Sequence, residues 1–218
     1  MQTNKNPNID TTIFKSYDIR GIYPTQLNED TAYKIGRAYA VFMQNTNPDV
    51  QLKIAVSTDM RLSSPQLKGK LIQGLIDQGV IVYDLGFNST PSFYFGVSYN
   101  NLHGGVQVSA SHNPKEYNGF KMVKENAKPI SGETGINKIK QMVIDNNFTE
   151  SKYKGVYRTI SNTTKDNFEQ SLKNYNLSTI KPIKIVVDAA NSMGILDLQE
   201  FFKHTPQLEI IKVNYELD

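Results

Sequence analysis

The stretch from Gly105 to Lys121, GVQVSASHNPKEYNGFK, gathers several reactive side chains in a short space. An apolar run, Val106–Val108, leads into a polar segment with two hydroxyls, Ser109 and Ser111, and the imidazole of His112. Asn113 adds an amide, and Pro114 fixes φ while offering no N–H. Asn118-Gly119 reads as a turn pair, with Lys121 after it as a mobile cation. A serine hydroxyl is a weak nucleophile until a base and a cation sit beside it. Here His112 and Lys121 can supply both. Phosphoryl transfer needs little more than positioning and neutralisation of charge on the transferred oxygens. These residue types therefore point to nucleophilic or phosphoryl chemistry at Ser111, although a serine beside a histidine also occurs in plain solvated loops.

Two other clusters carry charge. In Phe14–Gly21, FKSYDIRG, Asp18 and Arg20 form either an ordinary turn ion pair or, through the guanidinium, a two-pronged phosphate clamp. Tyr17 can donate from its hydroxyl. In Thr58–Pro65, TDMRLSSP, Asp59 and Arg61 are expected to hold a loop at the end of a strand, with Ser64 capping the next helix.

The elements that must position these groups alternate. Met1–Thr11 reads as a flexible lead. Phe14–Gly21 is a short strand running into a turn. Asn28–Gln44 is a helix, capped by Asn28 with Glu29 and Asp30 in its first turn. Strand Gln51–Ser57, helix Pro65–Gln78, strand Val80–Leu85 and helix Ser92–Asn100 follow, and a strand then enters the Ser111 loop. Met122–Lys124 reads as a strand with a polar hairpin after it, and Gly135–Asp145 as a helix. Asn146–Gly155 has no apolar period and marks a boundary. Beyond it the pattern gives helix Thr164–Asn174, strand Ile183–Asp188, helix Ile195–His204 and strand Leu208–Tyr215. Alternation with short connections predicts an α/β fold with a mixed, mostly parallel sheet sandwiched by helices. Loops at the carboxyl ends of such strands are where open sheets hold ligands.

Ser109–Pro114 (SASHNP), followed by Tyr117–Lys121 (YNGFK), closely resembles the phosphoserine loop of the α-D-phosphohexomutases, the phosphomannomutase and phosphoglucomutase superfamily. Tyr17-Asp18-Ile19-Arg20-Gly21 resembles their N-terminal signature. Asp59 and Arg61 match a third motif, although Ser57-Thr58 stand where that motif has its glycine. Residues 1–150 thus look like the first domain, with the phosphoserine loop. Residues 151–218 look like part of the second, with Ser192 in place of a usual glycine.

The resemblance implies that Ser111 carries the phosphoryl group and that a hexose phosphate is the substrate, turned over through a bisphosphorylated sugar. Lys121 would neutralise charge or shuttle a proton. His112 and Asn113 would orient the loop or donate to phosphate, and Tyr17 and Arg20 would bind phosphate. It also implies Mg2+, held partly by the phosphate on Ser111, and a sugar bisphosphate activator. The aspartate-rich metal loop, the sugar loop and the C-terminal phosphate loop of these enzymes do not occur in the 218 residues. The expectation is an amino-terminal half completed by missing C-terminal domains or another chain, inactive alone. The alternative is a truncated, non-catalytic phosphosugar-binding or regulatory module.

Composition narrows the classes. Hydrophobic residues are 39% of the chain, enough for a packed core, and the net charge of +3 is spread rather than blocked. That spread argues against nucleic acid, and mild positive charge suits an anionic small substrate. Cysteine is absent, which removes disulfides and thiolate metal sites and fits a reducing compartment. No apolar run reaches the ~18 residues of a membrane span. A cytoplasmic protein is the expectation. The glycine fingerprint of dinucleotide sites is missing.

Overall fold

A computed structural model describes residues 9–218. Most of the expected flexible lead, Met1–Asn8, lies outside the described residues. From Ile9 onward the chain is held: Ile9 packs on the core, and the Asp10 carboxylate accepts from Thr12 N and from Gln26 Nε2.

Six strands form the main sheet: β1 (Ile19–Ile22), β2 (Lys53–Thr58), β3 (Ile81–Phe87), β4 (Gly104–Val108), β5 (Tyr117–Lys124) and β6 (Val156–Thr159). Their spatial order is β1-β5-β4-β2-β3-β6. β4, β2, β3 and β6 run parallel, while β5 is antiparallel to both β4 and β1. The fold is therefore α/β with a mixed, mostly parallel sheet. β6 comes from beyond residue 150 and joins the first sheet, a strand that the sequence pattern does not reveal. Its four residues are all exposed, so no buried apolar period marks it.

Helices cover both faces. α1 (Glu29–Thr46), α2 (Ser64–Asp77) and α4 (Asn137–Asp145) lie on one face, over a core that includes Ile35, Phe42, Leu71, Val106, Phe120 and Ile139. α3 (Thr90–Tyr99) lies on the other, packing Phe93 and Val97 against Ala55 and Leu85. α1 starts where Asn28 accepts from Thr31 N, which satisfies one of the helix's orphan donors. α1 and α2 approach closely through glycine: a Cβ on Gly36 would overlap the Leu71 carbonyl, and one on Gly74 the Tyr33 carbonyl.

A second unit follows: α5 (Thr163–Leu172), then β7 (Ile183–Asp188), α6 (Gly194–Lys203) and β8 (Leu208–Val213), with β7 and β8 parallel.

Two local expectations fail for physical reasons. Asn118-Gly119 is not a turn but lies inside β5, paired with β1. The Asn118 side chain is buried and donates to the Ser63 and Ser64 hydroxyls, so tertiary bonds override its turn preference. Lys121 accordingly sits within a strand rather than on a free loop. Ser64 does not cap α2. Its hydroxyl donates to Asp59 Oδ1, and the cap position is Ser63, whose side chain makes no capping bond.

Gly74→Ala is expected to lower stability by about 1–3 kcal/mol through overpacking of the helix pair, read as a lower urea midpoint. His103 gives a pH-dependent prediction. Its Nδ1 accepts from Lys53 N at 2.9 Å, which requires the neutral ring, and burial, then the Lys53 charge, holds its pKa below the ordinary value. On acidification the unfolded chain protonates first, so stability is present above about pH 6.5 and is lost as pH falls below that toward the folded value. Urea midpoints at pH 7.5 and 5 should differ, and His103→Gln should shrink the difference.

Candidate active site

The loops after β2, β3 and β4 meet at one edge of the sheet, because all three strands run parallel and end together. A cavity of about 310 Å³ opens there. Asp59 and Met60 come from the end of β2, Asn88–Pro91 from the end of β3, and Gln107, Ser109, Ser111 and His112 from the end of β4. The second unit closes it with Ser192, Met193 and Gly194, from the loop after β7.

The Ser111 loop gains its shape from Arg61. The guanidinium donates to four main-chain carbonyls: Nη1 to Pro114 O (2.8 Å) and Tyr117 O (3.0 Å), and Nη2 to Ser111 O (3.0 Å) and Asn113 O (2.6 Å). Its charge is balanced by Asp59, whose Oδ2 lies 3.3 Å from Nε without hydrogen-bond geometry. The other Asp59 oxygen accepts from Arg61 N and from the Ser64 hydroxyl. Both side chains are about nine-tenths buried, 11% and 6% exposed. The loop is closed elsewhere by Ser109 N donating to Gly119 O and by Asn113, whose N and Nδ2 both donate to Ala110 O.

Held this way, Ser111 adopts φ +57°, the left-handed region that a serine rarely enters, and its side chain is exposed at the cavity. Ser111 N donates to Ser109 Oγ at 3.0 Å, and Ser111 Oγ lies 3.3 Å from His112 Nδ1. A nucleophile beside a nitrogen base is the geometry that hydroxyl activation needs.

The other sequence-predicted residues divide by location. Lys121 is paired in register with Gln107, so the two share a sheet face. It is the α3 face, since a Cβ on Gly105 of that face would meet Phe93 and Val97. Arg20 is paired with Gly119 and lies over it, on the same face as Lys121. Arg20 is also committed in part: Nε and Nη2 both meet Asp18 Oδ2, at 2.8 and 2.6 Å. Asn113 does not line the cavity and instead lines a separate concavity with Arg61 and Lys115. Tyr17 is 75% exposed and lines a third concavity with Ser131–Glu133. The structure thus brings together Ser111 and His112 in the cavity lining, places Lys121 and Arg20 on one sheet face, and leaves these two together with Tyr17 and Asn113 outside that lining.

Contributors that escaped the sequence reading include Gln107, Asn88, Thr90 and Met193. Gln107 is 1% exposed, with both ends of its amide pinned. Its Oε1 accepts from Thr90 Oγ1 and its Nε2 donates to Asn88 O. The one available signal was a polar residue within the apolar run before the loop.

Among the described residues no three His, Cys, Asp or Glu side chains are grouped to hold a metal. Both oxygens of Asp59 are engaged by Arg61 and Ser64, and the remaining cavity donors are mostly hydroxyls and amides. Magnesium takes several oxygen ligands, carboxylates prominent among them, so the described residues do not by themselves supply a magnesium site. No helix among the described residues is long and apolar enough to cross a membrane.

Arg61→Ala is expected to cost about 3–5 kcal/mol, since it strands the buried Asp59 charge, and to speed tryptic cleavage after Lys115 in the released loop. Arg61→Lys should retain the charge balance yet still cleave faster than wild type, because an ammonium cannot serve four carbonyls. Chemical denaturation and timed proteolysis read the two effects.

Residues 11–150 match the family model for phosphoglucomutase/phosphomannomutase, alpha/beta/alpha domain I. A phosphomannomutase of Vibrio cholerae is 39% identical over 211 residues, covering 95% of this chain and 45% of that protein. A phosphomannomutase of Klebsiella pneumoniae is 45% identical over 152 residues, 69% of this chain and 93% of that protein. The crystal structure of a phosphoglucomutase/phosphomannomutase family protein from Burkholderia thailandensis superposes with a TM-score of 0.80 at 32% identity. That match covers 96% of this chain and 45% of the solved one. The chain therefore spans a little under half the length of the Vibrio and Burkholderia proteins.

Proposed function

Because this chain belongs to the phosphoglucomutase/phosphomannomutase family, we propose that Ser111 carries a phosphoryl group exchanged with a hexose phosphate. The supporting observation is the posture of Ser111. It stands exposed at the cavity in a left-handed conformation enforced by Arg61, with a nitrogen base 3.3 Å from its hydroxyl.

In the forward step Ser111 Oγ attacks a phosphorus of a hexose bisphosphate. The Oγ–P bond forms and the sugar O–P bond breaks. The hydroxyl proton passes to His112 or to a water, and the leaving sugar oxygen takes a proton in turn. The bisphosphate arises when phospho-Ser111 first donates its phosphoryl group to the free hydroxyl of a hexose monophosphate, and removal of the other phosphate by Ser111 then completes an isomerisation and restores the phosphoserine. Lys121 and Arg20 lie on one sheet face and supply positive charge toward the transferred oxygens, with Arg20 keeping donors beyond those that face Asp18. Asn113 acts through the loop, tying it to Ala110, rather than on phosphate. Tyr17 serves substrate from outside the cavity. Magnesium and the sugar-reading groups would come from the length that the longer relatives have and this chain does not span. The same holds for turnover, so mutase activity is proposed for the completed protein and phosphoryl acceptance at Ser111 for this chain.

Incubation with glucose 1,6-bisphosphate or mannose 1,6-bisphosphate, followed by mass spectrometry, tests this. One phosphoryl group should appear on the peptide that contains Ser111. Ser111→Ala should abolish it, and Lys121→Met should slow it at least ten-fold, about 1.4 kcal/mol of transition-state stabilisation. Incorporation that persists in Ser111→Ala would refute the assignment.

A further inference from the structure

The second unit reaches the cavity through the loop Ser192–Gly194, which is tied to the end of its own β7 where Ser192 N and Oγ both donate to Ala189 O. A buried polar seam against α3 sets where the helix behind that loop sits. Ser92, in the first turn of α3, is fully buried. Its hydroxyl donates to Asp197 Oδ1 at 3.0 Å and accepts from Asn167 Nδ2 at 3.1 Å. One serine therefore ties both α6 and α5 to the first unit. Asp197 stands three residues after Gly194, within the first turn of α6, so the bond fixes the end of the helix whose leading loop roofs the cavity.

A second tie runs parallel. Thr164 Oγ1 donates to Asn88 Oδ1 at 3.1 Å. Asn88 is buried and lines the cavity. Its Nδ2 donates to Leu85 O, and its own carbonyl accepts from Gln107 Nε2. Two hydrogen-bonded sets thus tie the two units around the Ser111 cavity, Gln107–Asn88–Thr164 on one side and Ser92–Asp197 on the other.

We propose that Ser92 and Asp197 are positioning residues that hold the Ser192–Gly194 loop over Ser111. Neither lines the cavity, and they act through the roof. Burial gives the bond its leverage: an unmade hydrogen bond at a fully buried hydroxyl keeps its whole desolvation cost, so the seam favours the closed arrangement. The proposal builds on the reading of Ser111 as the phosphoryl carrier, but its structural content stands apart from that reading.

The test is hydrogen exchange by mass spectrometry on the 218-residue chain, comparing wild type, Asp197→Ala, Asp197→Asn and Ser92→Ala. Asparagine keeps an acceptor oxygen for Ser92, whereas alanine does not. Asp197→Ala and Ser92→Ala should exchange at least ten-fold faster at residues 192–196, with the amides of β2 and β4 unchanged. Asp197→Asn should stay within two- to three-fold of wild type. Unchanged exchange at 192–196 in Asp197→Ala would overturn the proposal. So would equal effects of alanine and asparagine, or a rise spread evenly over β2 and β4.

Phosphoryl incorporation from the sugar bisphosphate, measured on the same variants, should be slowed in the alanine variants and restored in Asp197→Asn. If wild type takes up no phosphate, the Ser111 reading fails while the exchange data still decide the seam.

Discussion

A guanidinium surrounded by carbonyls governs this molecule's chemistry. Arg61 is delivered by the end of β2, and the loop that it grips is delivered by the end of β4. The four bonds are sequence-distant, and each takes up a carbonyl that a tight loop would otherwise have to leave to solvent. Buried charge is costly unless paired and hydrogen-bonded. Here Asp59 supplies the pairing and the loop supplies the acceptors. The loop and the cation therefore stabilise each other: without the loop the arginine is an unsatisfied charge, and without the arginine the loop has no reason to place Ser111 at positive φ.

The parallel sheet makes that exchange possible. Strands running the same way bring successive loops to one edge, so Asp59, Asn88 and Ser111 become neighbours although they are far apart in sequence. The antiparallel β5 adds what a purely parallel sheet would not. It returns along β4 directly from the loop, so Lys121 is placed by register rather than by loop flexibility. β1 then adds Arg20 to the same face. The cationic residues rest on rigid strands and Ser111 on a clamped loop, the division of labour that the proposed phosphoryl chemistry would require.

Much of this was legible in the sequence. The alternation of elements, the Asn28 cap and the cluster around Ser111 follow from local pattern alone. The failures share a cause. Asn118-Gly119 carries a turn preference that two buried hydroxyls and a paired strand override. β6 has no buried face and so no period to read. The role of Arg61 depends on carbonyls fifty or more residues away in sequence, and main-chain acceptors leave no mark on composition. Gln107 was visible as a polar residue in an apolar run, but its partners Asn88 and Thr90 were not.

The cavity is also a matter of timing. Its floor and its nucleophile are complete once β5 has zipped onto β4 and Gly119 has accepted the Ser109 amide. Its roof comes from Ser192–Gly194, much later in the chain. During synthesis, when amino-terminal segments fold first, the serine is therefore clamped and open to solvent before anything shelters it. A nascent chain in that interval presents the clamped Ser111 hydroxyl without its enclosure. The order of the chain makes the clamp precede the shelter.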